Sequence, residues 1–149
     1  MTTTVTRPRT VTARINTPDT ALDPAVYTVT VYVNTAPHSF RGYQPHHPLA
    51  AATRPDGSPL RLVFRASDRI HDHEAAADAA FEVGNQQNTD SKGQTWPDDI
   101  RSVSVGDVIK VTGPDHWSIH LSVDRVGFSP VAEPTTLTTL TGSTASSRR

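Results

Sequence analysis

The histidines are the side chains of this sequence best suited to binding a metal ion. They include the adjacent pair His46-His47, the His71-x-His73 spacing around Asp72, and the pair His116 and His120. A zinc site needs three or four nitrogen, oxygen or sulfur ligands that converge at about 2 Å. His71 and His73 lie at the start of a predicted helix, where we expect their side chains to diverge. We therefore predict solvated histidines with no metal or cofactor, and a metal-dependent hydrolase is the weakest of three functional hypotheses.

Other groups that could do catalysis are sparse. The chain has no cysteine, which excludes thiolate chemistry and disulfides. It contains neither a Gly-x-Ser-x-Gly segment nor a Gly-x-x-x-x-Gly-Lys phosphate loop. Asp98-Asp99 is typical of a surface loop, and Asp107 follows Gly106 at a turn, where aspartate commonly bonds its own backbone. These patterns predict that the chain is not an enzyme.

Candidate contact residues come from several parts of the sequence. Trp96 lies in a polar loop before Pro97, so it is either a lid over the core or an exposed anchor for a partner. Trp117 is expected in the core. An acidic stripe recurs every four residues along the predicted helix, and most such stripes are simply its solvated side. The predicted interaction residues are Trp96, Tyr43, Arg61, Arg65, and the acidic stripe of Glu74, Asp78 and Glu82.

The charge of the chain does not favour a nucleic-acid partner. There are 14 basic and 15 acidic residues, a net charge of −1, and acidic residues outnumber basic ones between residues 24 and 132. A nucleic-acid binder usually has a basic excess, because phosphate neutralisation supplies most of its affinity. Arg61 and Arg65 are predicted on the outward side of one strand and could form a local patch with Arg69. A nucleic-acid-binding module therefore remains the alternative to a protein-binding one.

Apolar alternation predicts the strands that must position these residues. Residues 26–33 alternate with period two, which places Tyr27 and the valines on one face. The Pro-rich passage 34–59 is predicted as a long connection across the surface. Further strands are predicted at residues 60–65, 102–105, 108–112, 117–123 and 126–128.

A single helix is predicted at residues 73–83. Asp72 is a suitable N-cap, the interior is rich in alanine, and Gly84-Asn85 supplies a stop. The apolar stripe of this helix consists of Ala76, Ala77, Ala80 and Phe81, with Phe81 as its main anchor. The order of two strands, a helix and a β-meander predicts a small α+β fold, in which one helix packs on one face of a mostly antiparallel sheet.

The ends of the chain differ in composition from its middle. Residues 1–23 are dominated by Thr, Arg and Pro, and residues 133–149 are Thr/Ser-rich with few apolar side chains. Such segments cannot offset the entropy lost when a chain is ordered. We predict a flexible segment at 1–23, one domain at 24–132 and a disordered tail at 133–149. With no long apolar run and no signal-peptide pattern, we expect a cytoplasmic protein without a membrane partner.

Two segments resemble a known family. Residues 102–108 read Ser-Val-Ser-Val-Gly-Asp-Val, with a Gly-Phe further on, and residues 81–85 end the helix as Phe-Glu-Val-Gly-Asn. The first segment resembles the C-terminal signature of YodL-like domains. Together the two resemble more closely a set of short uncharacterised actinobacterial proteins. The likeness covers roughly residues 73–131 and implies a setting on phages, plasmids and other mobile elements, without implying any catalytic residue.

The leading hypothesis is a non-enzymatic domain that binds another protein. The resemblance implies an accessory protein of an actinobacterial mobile element, such as a phage or plasmid, or of its host. The sparse catalytic groups, the balanced charge and the long loops motivate a binding role, because binding residues concentrate on loops held by a rigid scaffold.

Overall fold

The computed structural model describes residues 25–138, and the strand at its centre is β1 (Val26–Asn34). Its side chains alternate as the sequence predicts: Tyr27, Val29, Val31 and Val33 are buried, and the residues between them are half-buried. A β-strand sends successive side chains to opposite faces, so the buried set lies on a single face of the sheet. That face carries the hydrophobic core.

Six further strands complete one seven-stranded sheet around β1. They are β2 (Leu49–Ala51), β3 (Leu62–Arg65), β4 (Val108–Thr112), β5 (Ser118–Val123), β6 (Phe128–Val131) and β7 (Leu137–Thr138). The strand order is β6-β5-β4-β1-β2-β7, and β3 pairs with β1 beside β2. All pairs are antiparallel except the parallel pair of β2 and β7. The predicted mostly antiparallel α+β fold is confirmed.

The α-helix, α1 (His73–Gly84), packs on the core face of this sheet. The Asp72 carboxylate accepts a hydrogen bond from the Ala75 N–H, so the predicted N-cap is confirmed. Ala76, Ala77 and Ala80 are completely buried, and their small side chains let the helix lie close to the strands. Phe81, the predicted anchor, is only half-buried, and Val83 is the large α1 side chain that is fully buried.

The C-terminal end of α1 touches the chain that leads into β4. A Cβ atom on Gly84 would lie 2.2 Å from a methyl carbon of Val103, so only glycine fits there. The Val103 N–H donates to the Gly84 carbonyl, and the Asn85 side chain donates to the carbonyls of Phe81 and Val103. The two segments that carry the family resemblance are therefore in direct contact.

One predicted loop and one predicted strand need correction. The passage 34–59 is not only a surface connection, because it contains β2, where Leu49 and Ala50 are completely buried. The pairing of β3 with β1 ends at Val29, and β2 pairs with the residues of β1 from Tyr32 onwards. Residues 102–105, predicted as a strand, form no strand, although Val103 is buried in the core.

The ends of the described part can be compared with the predicted boundaries. Strand β7 lies in the segment predicted as a tail, and the Leu49 N–H donates to the Thr136 carbonyl beside it at 2.9 Å. The predicted flexible segment 1–23 lies outside the described residues, as does the rest of the predicted tail, 139–149. Within residues 25–138, no helix has both the length and the apolar character that a membrane crossing requires.

Candidate functional site

The two tryptophans occupy environments that the sequence did not distinguish. Trp96 is 2 % exposed, and its indole N–H donates to the carbonyls of Ile100 and Arg101, so it is a lid over the core. Trp117 is 55 % exposed, and its predicted place in the core is wrong. It precedes β5 and follows His116, whose φ of 66° turns the chain. The alternation of β5 therefore does not extend back to Trp117.

Trp117 is held firmly despite its exposure. The His73 ring meets the indole edge-on, with 4.7 Å between the ring centroids. The His73 Nε2–H donates to the Trp117 carbonyl at 3.1 Å, and the Asp115 carboxylate accepts from the Trp117 N–H at 3.1 Å. Behind His73, the buried ring of Tyr27 lies 5.7 Å away, also edge-on. The helix start, the β4–β5 turn and β1 together fix one large exposed aromatic side chain.

Both segments that hold this tryptophan carry a carboxylate, Asp72 before His73 and Asp115 in the β4–β5 turn. Burial raises the pKa of Tyr27, and the nearby carboxylates of Asp72 and Asp115 raise it further. Glu74, in the first turn of α1, is exposed near the same end of the helix. We call the patch formed by Trp117, His73, Asp72 and Asp115 the Trp117 surface.

The remaining predicted contact residues lie in separate parts of the surface. Arg65, Asp78 and Glu82 line one groove of about 510 Å³ between α1 and β3, together with Arg69. Of the predicted acidic stripe, Glu74 does not line this groove. Arg61 is exposed just before β3 and is also outside the groove lining. The predicted arginine patch is therefore partly offset by carboxylates.

Tyr43 lies at a separate hollow of about 390 Å³ with Pro45, Glu133 and Pro134. Burial raises the pKa of its phenol. The Tyr43 ring meets His47 edge-on at 6.2 Å between centroids. The predicted interaction residues therefore do not form one continuous surface.

The histidines lie in several different parts of the fold. His73 bonds to Trp117, His71 is exposed beside Asp72, and His120 lies on the face of the sheet opposite α1. The Nδ1 atom of His47 accepts from Gln44 and faces the Asn34 amide at 3.0 Å. Among residues 25–138, no three His, Asp or Glu side chains are grouped so that they could hold a metal ion.

A buried ion pair is the main feature that the sequence reasoning missed. Asp107 is completely buried, and Arg101 donates to both of its carboxylate oxygens at 2.7 and 2.9 Å. The backbone N–H groups of Asn34 and Ser104 supply two more donors, at 2.8 and 2.9 Å. Asp107 is therefore the centre of a buried junction, which we call the Asp107 lock. It joins the end of β1 to the loop before β4.

Gly106 completes this junction. Its φ is 98°, and a Cβ atom there would lie 2.1 Å from the Ser39 carbonyl oxygen. The Asn34 amide also donates to the Gly106 carbonyl at 2.8 Å. The Gly-Asp pair in the Ser-Val-Ser-Val-Gly-Asp-Val segment thus has a structural role. The glycine before the aspartate is the sequence feature that marks this junction, although the pair by itself indicates only an ordinary turn.

Asp90 is a second buried carboxylate that the polar composition of its loop does not predict. It is 5 % exposed and accepts hydrogen bonds from the backbone N–H groups of Val63, Lys92 and Gln94. The neighbouring Ser91 N–H donates to the Val63 carbonyl. Together these residues cover the outer edge of β3, which would otherwise present unpaired backbone groups.

Comparison with known proteins found no family model, no curated protein and no solved structure that matches this chain. The resemblance to YodL-like domains therefore stays a prediction.

Proposed function

We propose that this chain is a non-enzymatic domain that binds another protein through the Trp117 surface. The single observation that carries the proposal is the 55 % exposure of a tryptophan that three structural elements hold in place. A large apolar side chain in water is unfavourable on its own, and tryptophan is enriched among residues that dominate the energy of protein interfaces.

The contacts that fix the Trp117 side chain favour a role for it in binding a partner. A side chain that is already fixed loses little conformational entropy when a partner covers it, so more of the contact energy appears as affinity. His73 fixes both the ring and the backbone carbonyl of Trp117, and Tyr27 supports His73 from the core. We therefore expect Trp117 to insert into an apolar pocket of the partner.

The charges around Trp117 indicate the chemistry of that partner. Asp72 and Asp115 lie at the Trp117 surface, and the predicted interaction residue Glu74 is exposed in the first turn of α1. Complementary charge at the rim of an interface guides association and excludes wrong partners. The proposed partner therefore carries basic side chains around an apolar pocket. In the setting implied by the resemblance, it would be a protein of the mobile element or of its host.

The nucleic-acid alternative has weaker support. Phosphates would be repelled by the carboxylates beside Trp117, and the arginines Arg65 and Arg69 share a groove with Asp78 and Glu82. Arg61, just before β3, and Arg65, at its end, are both exposed, which is the observation in favour of that alternative. Binding that weakens steeply with added salt would identify it.

The test is affinity capture with matched variants of the full-length chain. Wild type, Trp117→Ala and Phe40→Ala are immobilised and incubated with lysate of the source cells. Phe40 is a suitable control because it is 59 % exposed but follows the other end of β1, on the 3-10 helix Ser39–Arg41. We expect one protein to be retained by wild type and Phe40→Ala and lost with Trp117→Ala, whose affinity should fall about 30-fold. Equal retention by all three chains would contradict the proposal.

A further inference from the structure

The face of the sheet opposite α1 carries a row of four aligned side chains, three of them polar. The registers of four neighbouring strands align Thr30 in β1, Lys110 in β4, His120 in β5 and Val131 in β6. The Tyr32 ring lies diagonally beside His120, with 6.2 Å between the ring centroids. No element of the described chain packs over this row as α1 packs over the other face.

A hollow of about 370 Å³ lies over the centre of this row. Lys110, Ser118, His120 and Glu133 contribute its polar lining. The hollow is open to solvent, so a small molecule would lie against it without being enclosed. Within residues 25–138, the side chains of Lys110, His120 and Glu133 make no hydrogen bond or ion pair with one another or with other residues. A ligand at this hollow would therefore not have to displace any partner from residues 25–138.

The charges of this hollow balance. Lys110 carries a positive charge and Glu133 a negative one. Burial lowers the pKa of His120 below its ordinary value of 6.5, Lys110 lowers it further, and Glu133 partly opposes the shift. Burial and Glu133 also raise the pKa of Tyr32, so its phenol keeps its proton. At pH 7 the hollow thus offers one cation, one anion and a neutral imidazole, and the Tyr32 phenol lies beside His120.

A second, less polar hollow adjoins the first. It has a volume of about 390 Å³ and is lined by Tyr43, Pro45 and Pro134. Val131 and Glu133 line both hollows, so they lie on the boundary between them. A ligand placed across that boundary would keep its charged groups near Lys110 and Glu133. Its apolar part would lie against the ring of Tyr43 and the two prolines.

We propose that these adjoining hollows bind a small zwitterion with an apolar side chain, such as a free apolar α-amino acid. Its carboxylate pairs with Lys110, its ammonium group with Glu133, and its side chain with the Tyr43 hollow. A zwitterion matches the balanced charges of the site, whereas a simple anion would be repelled by Glu133 and a simple cation by Lys110. This site is distinct from the Trp117 surface, so it does not depend on the proposed partner.

Titration of the full-length, ¹⁵N-labelled protein with four small probes tests this proposal. The probes are L-leucine, leucinamide without the carboxylate, N-acetyl-leucine without the ammonium group, and glycine without the side chain. We expect L-leucine to give saturable shifts at the amides of Lys110, His120 and Glu133. Each of the other three probes should bind at least about tenfold more weakly, because each lacks one of the proposed contacts.

Matched variants separate the site from nonspecific binding. Lys110→Met should weaken L-leucine about tenfold and remove the preference for leucine over leucinamide. The chain has only one other lysine, Lys92, which lies in an exposed loop, so Lys92→Met is the control and should change neither. The proposal is wrong if L-leucine gives no saturable shifts up to roughly 10 mM. It is equally wrong if leucinamide binds as well as leucine, or if Lys110→Met and Lys92→Met behave alike.

Discussion

Replacing Asp107 with asparagine is expected to destabilise the fold more than its position in a turn would suggest. Each carboxylate oxygen accepts two hydrogen bonds: Oδ1 from Asn34 and Arg101, and Oδ2 from Ser104 and Arg101. Asparagine has the same shape but only one acceptor oxygen. Its NH₂ group would face two donors, so at least two of the four hydrogen bonds would be lost.

The magnitude follows from the burial of the two partners. Removing one partner of a buried ion pair costs about 3–5 kcal/mol, since the other charge is left without compensation. Here the Asp107 side chain is completely buried, whereas the Arg101 side chain is 42 % exposed and can be solvated in part. We therefore expect Asp107→Asn to cost about 3 kcal/mol. Arg101→Ala should cost at least as much, about 3–5 kcal/mol, because it leaves the completely buried carboxylate with only its two backbone donors.

Urea unfolding, followed by tryptophan fluorescence, measures these losses. With a urea m-value of about 1–3 kcal/mol per M, a loss of about 3 kcal/mol should lower the urea midpoint by about 1–3 M. Asp56→Asn is the control, because Asp56 also lies next to a turn glycine but is exposed and bonds only to Ser58. If Asp107→Asn and Asp56→Asn shifted the midpoint equally, the account of the Asp107 lock would be refuted.

Three further predictions concern single residues. Gly106→Ala should destabilise the fold by about 2 kcal/mol or more, because the new Cβ would meet the Ser39 carbonyl. The control is Gly57→Ala, where φ is also positive but the surroundings are open, and it should cost clearly less; equal losses in urea unfolding would rule out the close approach at Gly106. Burial lowers the pKa of His120, so the folded chain binds fewer protons there than the unfolded chain and stability should fall as the pH drops from 7.5 through 6.5 and below. His120→Gln should reduce that pH dependence in urea unfolding at pH 7.5 and 5.5, and an unchanged dependence would count against the shift. Acrylamide should quench the fluorescence of Trp96→Phe strongly and that of Trp117→Phe weakly, and the reverse order would contradict the assignment of the exposed tryptophan.

The elements with a regular pattern could be predicted from the sequence. The alternation along β1, the N-cap Asp72 and the alanine-rich interior of α1 are local signals, and the structure has each of them as predicted. These signals depend on neighbouring residues in the chain. A small α+β fold with a mostly antiparallel sheet followed from their order, and it is confirmed.

Features that depend on distant contacts could not be predicted in the same way. Strand β2 has only three residues, and its place beside β1 depends on where the pairing with β3 ends. Asp107 looks like a turn aspartate until Arg101 and Asn34 are brought to it, and Asn34 is 73 residues away in sequence. Local patterns contain no information on such partners.

The two tryptophans illustrate the same limit for the candidate site. Trp96 lies in a polar loop, but its side chain is buried and its indole N–H donates to the carbonyls of Ile100 and Arg101. Trp117 continues the apolar alternation of β5 in sequence, yet the turn at His116 places it outside the sheet. Its support by His73 comes from a residue 44 positions away. The exposed anchor could therefore be identified only from the folded chain.

Site-specific photo-crosslinking tests the Trp117 surface most directly. A benzophenone amino acid replaces Pro114, which is exposed in the β4–β5 turn near Trp117, in one full-length chain and Phe40 in another, and both are irradiated in the source cells. The proposed function predicts a crosslink to one defined protein from position 114 and none to that protein from position 40, which follows the opposite end of β1. The same crosslinks from both positions, or no protein crosslinked from position 114, would contradict a partner bound at the Trp117 surface.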